Sequence, residues 1–221
     1  SSAYYIKWSD IQQNIYLPGC GFQFTTNVGT AAAKGFDLQA DWNATESLSF
    51  ESAFGYTNAR YLRDASLVPG GAPIAKAGDA VVGDSGVASP PWTIAIGALY
   101  EFSAFDLPSY FRLDYQYESK SHIKTAAEDI GPNGVSPTVQ DRFAYTPPAT
   151  TFVTLRTGAK IRRWDISAFV DNLFDTHPLL PPGGPNSHSD ADPTAPAGQG
   201  VLVRNYTFRP RTIGLTAIFH M

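Results

Sequence analysis

Hydrophobic and polar residues alternate along most of this chain. In the stretch YFRLDYQYE, which begins at position 110, Phe111, Leu113, Tyr115 and Tyr117 share one parity, and the residues between them are polar or charged. Successive residues of a β-strand point to opposite faces of a sheet, so this pattern predicts a strand with one apolar and one polar face.

The same period-2 pattern recurs along the rest of the sequence. No helical periodicity of comparable length competes with it. About eight antiparallel strands of roughly ten residues are therefore predicted, close to the length that crosses a bilayer when tilted. Besides the stretch at 110–118, the predicted strands lie near Tyr4 to Tyr16 and at 36–42, 48–57, 94–102, 153–161, 164–171 and 212–219.

The connections between these strands alternate between long and short. Short connections are predicted at 43–46, 103–108 and 162–163, and long ones at 17–31, 62–91, 125–147 and 175–206. Loops of more than about 12 to 15 residues are uncommon in compact domains. Short turns on one side and long loops on the other are typical of transmembrane β-barrels. The fold class predicted is an all-β, antiparallel, up-and-down transmembrane β-barrel segment.

Aromatic residues cluster near the predicted strand ends. Barrels carry aromatic girdles at both membrane interfaces, although the same residues could belong to an ordinary sheet core. The apolar face is expected to contact lipid and the charged face to line the interior. Predicted interface aromatics are Trp42, Trp92, Tyr100, Phe102, Tyr110, Trp164 and Phe219. Predicted inward charges are Asp37, Asp41, Arg112, Asp114, Glu118, Arg156, Lys160 and Asp165.

Composition agrees with a membrane environment and argues against nucleic acid as a partner. Charged residues make up 16% of the chain, below the roughly 25% of soluble domains. The net charge is −4, and no basic patch of the kind that binds nucleic acid stands out. No apolar run reaches the length of a transmembrane helix. The strand-like opening SSAYYIKW, without an initiator Met, suggests a piece of a longer protein.

Several motifs resemble the C-terminal part of the β-barrel of a TonB-dependent outer-membrane receptor. The segment DNLFD at 171–175, after ISAFV, is similar to that family's penultimate strand, and FRPRTIGLTAIF at 208–219 to its last strand. GFDLQADW at 35–42, FGYTNARY at 54–61 and the segment 4–13 are similar to earlier strands. The family's last strand usually ends in an aromatic residue, whereas here Phe219 is followed by His220 and Met221.

The resemblance implies a transport function. Residues 1–221 would be the C-terminal portion of a receptor barrel of 22 strands in the outer membrane of a Gram-negative bacterium. The parent would take up a scarce small ligand, such as a ferric siderophore or another iron chelate. TonB would energise it through a plug domain expected outside this chain. Outer-membrane lipid is a further partner, and no cofactor is expected. Tyr61, Arg63 and Asp64, which leave a strand for a long loop, are the candidate ligand-binding residues.

Two other motifs give weaker signals for chemistry. Gly83 to Gly86 reads GDSG, as around a protease nucleophile, but all four histidines follow Ser85, which is the wrong order for that triad. His188, Asp190 and Asp192 carry metal-ligand groups in a segment that otherwise reads as a polar loop. We therefore expect no enzyme. Two other hypotheses stay open: a self-closing eight-stranded barrel with a structural or adhesive role, and a soluble β-sandwich binding module.

Overall fold

A computed structural model describes residues 1–17, 22–27, 29–66, 73–81, 89–121, 147–180 and 206–220. Within these ranges all regular structure is β-strand, and no helix is long and apolar enough to cross a membrane. The strands are β1 (Ser2–Trp8), β2 (Gln12–Leu17), β3 (Phe22–Asn27), β4 (Ala31–Asn43), β5 (Leu48–Tyr61), β6 (Ala65–Ser66), β7 (Pro73–Ala75), β8 (Trp92–Ala104), β9 (Leu107–Glu118), β10 (Thr150–Ile161), β11 (Trp164–Asp171) and β12 (Thr212–Phe219).

Eight of these strands form one antiparallel, up-and-down sheet, as the alternation predicts. Its order is β1-β4-β5-β8-β9-β10-β11-β12. Each strand of this sheet therefore pairs with the strands of the same sheet that come directly before and after it along the chain. The edges are β1 and β12, and the described residues contain no pairing between them. The sheet is therefore open.

The short connections follow from local backbone chemistry. Phe105 and Asp106 both adopt positive φ, at 54° and 61°, between the paired residues Ala104 and Leu107. Two central residues with positive φ define the type I′ turn, whose twist suits a tight hairpin. Ile161 and Trp164 likewise pair across the two-residue turn at 162–163. The short connections predicted at 103–108 and 162–163 are thus present, and the first is shorter than predicted because strand pairing extends to Ala104 and Leu107.

The first predicted strand, near Tyr4 to Tyr16, is wrong as a single element. Asp10 has φ of 56°, a left-handed conformation that ends a strand and that Asp tolerates better than most residues. Only β1 joins the main sheet. Gln12–Leu17 pairs instead with Phe22–Asn27, and the two strands form a separate hairpin between β1 and β4. A second small hairpin, β6–β7, lies in the connection 62–91.

The sheet has almost no buried hydrophobic core of its own. Among the described residues the buried hydrophobic side chains are Ala31, Ala32, Ala33, Tyr61 and Val153. Ile213 and Leu215 on β12 are 75% and 81% exposed. A soluble sandwich would bury such residues against a second sheet, and the described residues show no second layer.

Candidate functional site

The pairing register gives the main sheet one polar and one apolar face. Because paired residues point to the same side and successive residues to opposite sides, the side chain of each strand residue can be assigned a face. We call the face that carries Asp37 and Asp114 the polar face, and the other the apolar face. All acidic residues within the eight strands lie on the polar face: Asp37, Asp41, Glu51, Glu101, Asp114, Glu118, Asp165 and Asp171. The eight predicted inward charges share it.

An ion-pair network crosses three strands of the polar face. Arg112 on β9 donates from Nε to both carboxylate oxygens of Asp114, at 2.9 and 3.0 Å. Its Nη2 reaches Glu51 on β5 at 2.9 Å. The intervening strand β8 presents Gly97, which pairs with both Glu51 and Asp114. The sequence predicts Arg112 and Asp114 as inward charges, but the contact of Arg112 with Glu51 becomes visible only with the register.

Gly97 leaves the space that the Arg112 side chain occupies. A Cβ at this position would lie 3.1 Å from Arg112 Nη2 and 3.2 Å from Asp114 Oδ1, which is closer than ordinary contact. The polar face repeats this arrangement at its edge, where Tyr4 on β1 crosses Gly35 on β4. The Tyr4 hydroxyl then lies 2.6 Å from Thr57 Oγ1 on β5. In both places a long polar side chain links two strands that share no backbone hydrogen bonds.

Every glycine within the eight strands lies on the polar face. Two further glycines lie beneath aromatic rings of the neighbouring strand: the Tyr110 ring covers Gly158, and the Phe169 ring covers Gly214. The Phe169 ring also holds the Arg156 guanidinium at 5.2 Å, a cation–π distance. At four positions of the polar face, a large side chain therefore lies over a glycine of a neighbouring strand. The glycines are Gly35, Gly55, Gly97, Gly158 and Gly214.

The predicted ligand-binding residues lie together at the long-loop end of β5. Tyr61 is 2% exposed, and its backbone N–H donates to the carbonyl of Asp79 at 3.0 Å. Asp64 accepts from the N–H of Ala77 at 2.8 Å, so its carboxylate already holds the neighbouring loop segment. Arg63 is exposed. Asp64 is exposed as well, so Arg63 differs from the other two in carrying an exposed cationic side chain.

Six of the seven predicted interface aromatics lie on the apolar face. At the short-turn end Trp42 stacks on Phe50 at 5.7 Å, and Tyr100 stacks on Phe102 at 5.5 Å. Trp164 and Phe219 pair with each other near the same end. Trp92 lies at the long-loop end, 4.7 Å from Tyr56 and 5.8 Å from Phe36.

Tyr110 is the seventh predicted aromatic, and the structure places it on the polar face. It pairs with Gly158 on β10, and its ring covers that glycine. The reason is parity, because Tyr110 precedes Phe111 and so points to the opposite side of β9. Of Tyr110 and Phe111, it is Phe111 that lies on the apolar face, where it pairs with Tyr100 on β8.

No group of three or more His, Cys, Asp or Glu residues arranged to hold a metal ion occurs in the described part of the chain. Gly83 to Gly86 and His188, Asp190 and Asp192 lie outside the described residues.

Comparison with known families identifies the sheet. The family model described as "TonB dependent receptor-like, beta-barrel" matches residues 1–173. The chain belongs to the TonB-dependent receptors. A comparison with curated proteins finds no match.

Solved structures of several metal-uptake receptors and transporters share this fold. The ferric yersiniabactin uptake receptor from Yersinia pestis aligns with a TM-score of 0.60 at 16% identity, over 97% of this chain and 26% of its own. A copper transporter aligns with a TM-score of 0.58 at 16% identity, over 98% of this chain and 28% of its own. The ferric preacinetobactin receptor from Acinetobacter baumannii aligns with a TM-score of 0.55 at 14% identity, over 97% of this chain and 26% of its own. The chain therefore spans about a quarter of their length, as a fragment of the barrel.

The receptor motif DNLFD joins the end of β11 to the segment that enters β12. Asn172, 1% exposed and with φ of 53°, donates from Nδ2 to the carbonyls of Thr176 and Arg209, both at 2.9 Å. Its Oδ1 accepts from the N–H and hydroxyl of Thr176. Asp175 accepts from the N–H of Arg211 at 2.8 Å. The sequence shows this motif, but only the fold shows that it fixes a loop base.

Proposed function

We propose that the chain is the C-terminal portion of the barrel wall of an outer-membrane active transporter. The parent receptor takes up a scarce small ligand such as a ferric siderophore, and TonB energises it through a plug domain that the parent carries. Family membership supports the proposal, as does the similarity of fold to the ferric yersiniabactin and ferric preacinetobactin receptors. The observation that carries it is the division of charge, with every strand-borne carboxylate on one face of a single sheet.

This division suits a wall between lipid and a polar interior. In a bilayer every backbone group must be paired, so a membrane-spanning sheet has to close. The free edges β1 and β12 would pair with the remaining strands of the parent barrel. The exposed side chains of Ile213 and Leu215 on β12 would then contact lipid.

The two alternative hypotheses fit these observations less well. A self-closing eight-stranded barrel requires pairing between β1 and β12, which are the two edges of the described sheet. A soluble sandwich requires a second layer over the apolar face. Neither alternative has an observation of its own in its favour.

Ligand contact is assigned to the long-loop end of β5, where Tyr61, Arg63 and Asp64 lie. Arg63 would supply a cationic, hydrogen-bonding group for an anionic ferric chelate. Asp64 would hold the loop through its bond to Ala77, and Tyr61 would form the buried base.

The experiment is uptake of a panel of radio-iron siderophores by cells that produce the full-length receptor. We expect at least one chelate to accumulate only when TonB is present. Arg63→Gln should weaken binding of that chelate by roughly tenfold, as expected for loss of a charge-assisted hydrogen bond. Arg163→Gln, at the short-turn end, is the matched control. Accumulation that does not depend on TonB would contradict the proposal.

A further inference from the structure

The basic residues of the main sheet divide between its two faces, unlike the acidic ones. Arg112, Arg156 and Lys160 lie on the polar face, among the carboxylates. The apolar face carries Lys7, Lys34 and Arg60, and no acidic residue of the eight strands accompanies them. All three are on adjacent strands, β1, β4 and β5, and all three are at the long-loop end.

The register brings these three cations close together. Lys7 pairs with Ala32, and Ala32 pairs with Arg60 on the other side. Lys34 lies one same-face position further along β4 and pairs with Tyr5 and Asn58. From the usual strand spacing and rise, their Cα atoms lie within about 10 Å of one another. We call Lys7, Lys34 and Arg60 the basic cluster.

No carboxylate in the described residues forms an ion pair with the basic cluster. Arg60 donates to Asn58 Oδ1 at 2.9 Å and to the carbonyl of Gly78 at 3.2 Å, both neutral acceptors. The side chains of Lys7 and Lys34 are exposed. Three like charges at this spacing repel one another, so an anion from outside the chain would stabilise the cluster.

The height of the cluster matches the outer edge of a lipid layer. Arg60 lies ten positions beyond Phe50, the residue that stacks on Trp42 at the short-turn end. Ten residues of strand span about 33 Å, and a tilt near 40° converts this into about 25 Å of height. That is about the height of the apolar band of an outer-membrane barrel. Trp92 and Tyr56 lie between the two levels, on the same face.

We propose that the basic cluster binds the phosphate groups of a phosphorylated lipid in the outer leaflet. Basic side chains at headgroup level attract anionic lipids, and their long aliphatic stems can lie along the apolar surface. Tyr5, in the same row as Lys34, adds a hydroxyl that can donate to a phosphate. The inference rests on the proposed function because it requires the apolar face to contact the outer membrane.

The test uses the full-length receptor in bilayer discs of phosphatidylcholine that contain bis-phosphorylated lipid A. Retained lipid is counted by native mass spectrometry. The variant combines Lys7→Gln, Lys34→Gln and Arg60→Gln. The matched control combines Lys160→Gln, Arg162→Gln and Arg163→Gln, which removes the same charge at the other end of the sheet. Parallel samples contain lipid A without phosphates, or inorganic phosphate as competitor.

We expect the cluster variant to lose lipid affinity on the order of 100-fold, about fivefold for each cation. The control should bind as the wild type does, and lipid A without phosphates should not be retained. Unchanged lipid binding by the cluster variant would overturn the inference. So would full displacement by millimolar inorganic phosphate, because the site would then be one for small anions.

Heat-dependent gel mobility separates the two proposals. A wild-type receptor that never inserts would overturn the outer-membrane function and the lipid site together. Insertion and TonB-dependent uptake, combined with equal lipid binding by wild type and cluster variant, would overturn the lipid site alone.

Discussion

The two faces of one sheet use their side chains in different ways. On the polar face, long side chains cross neighbouring strands, as Arg112 does over Gly97 to reach Glu51. On the apolar face, rings pair locally, as Trp42 does with Phe50, and aliphatic side chains such as Leu215 stay exposed. The difference teaches that side chains of the polar face link strands that are not neighbours, whereas the ring contacts of the apolar face leave most of its large hydrophobic side chains exposed. The apolar face is left for another material to cover, which we propose is lipid.

The strongest way to break this comparison is to place the same charge on each face in turn. Ile96 lies on the apolar face, between Trp92 and Phe102 on β8, and Ala95 is its neighbour on the polar face. We expect Ile96→Arg to lower the free energy of unfolding by about 2–4 kcal/mol, the cost of Arg at the bilayer midplane. Urea unfolding of the full-length receptor in vesicles measures it. Equal losses for Ile96→Arg and Ala95→Arg would contradict the two-environment interpretation.

The next largest effect should come from adding volume to each face. A Cβ at Gly158 would lie 2.8 Å from Tyr110 Cε1 and 2.9 Å from the backbone oxygen of Ile166. Gly158→Ala should therefore cost about 1–3 kcal/mol of unfolding free energy, as overpacking does. Ala98→Val, on the apolar face, should change it by less than about 0.5 kcal/mol because lipid can yield. A larger loss of unfolding free energy for Ala98→Val than for Gly158→Ala would contradict this difference between the two faces.

A smaller effect is expected from the ion-pair network, because its side chains are partly exposed. A double-mutant cycle with Arg112→Gln and Glu51→Gln should give a coupling of about 0.5–1 kcal/mol in unfolding free energy, the upper part of the range for exposed pairs. The coupling should fall at high salt. A matched cycle with Lys160→Gln and Asp165→Gln, which face each other without an ion pair, should give a value near zero. Equal couplings in the two cycles would show that the crossing over Gly97 has no special role.

The smallest effect concerns the ring pairs. Trp42→Leu should lower the unfolding free energy by about 0.5–1.5 kcal/mol through loss of the stack on Phe50. The loss should be larger in lipid vesicles than in detergent if the indole lies at a membrane interface. Identical losses in both media would count against an interface position for Trp42.

The alternation of residues was enough to predict the sheet but not its pairing partners. Hydrophobic and polar residues alternate up to Ile161 and again from Trp164. The sequence therefore locates the two-residue turn at Arg162 and Arg163 between them. The break at Asp10 depends on one backbone angle, which alternation does not encode. The hairpins β2–β3 and β6–β7 occupy connections where no pattern names a partner.

The site was predictable in its residue types but not in its contacts. Arg112 and Asp114 are visible as inward charges, yet Glu51 is 61 positions from Arg112, and only the register brings the two together. Tyr110 shows the same limit, because its face follows from its parity with Phe111. The basic cluster likewise could not be predicted from the sequence, because the pairing register of β1 and β4 decides which residues of the two strands share a face.

The side chains that cross glycines bear on how wide the finished barrel can be. A slip of two residues between neighbouring strands keeps every side chain on its own face, so alternation alone cannot forbid it. Arg112 reaches Glu51 and Tyr4 reaches Thr57 in one register only. Register summed around a closed sheet is its shear, and shear together with strand number sets the tilt and the radius. Two side chains therefore help to fix the bore of the parent barrel.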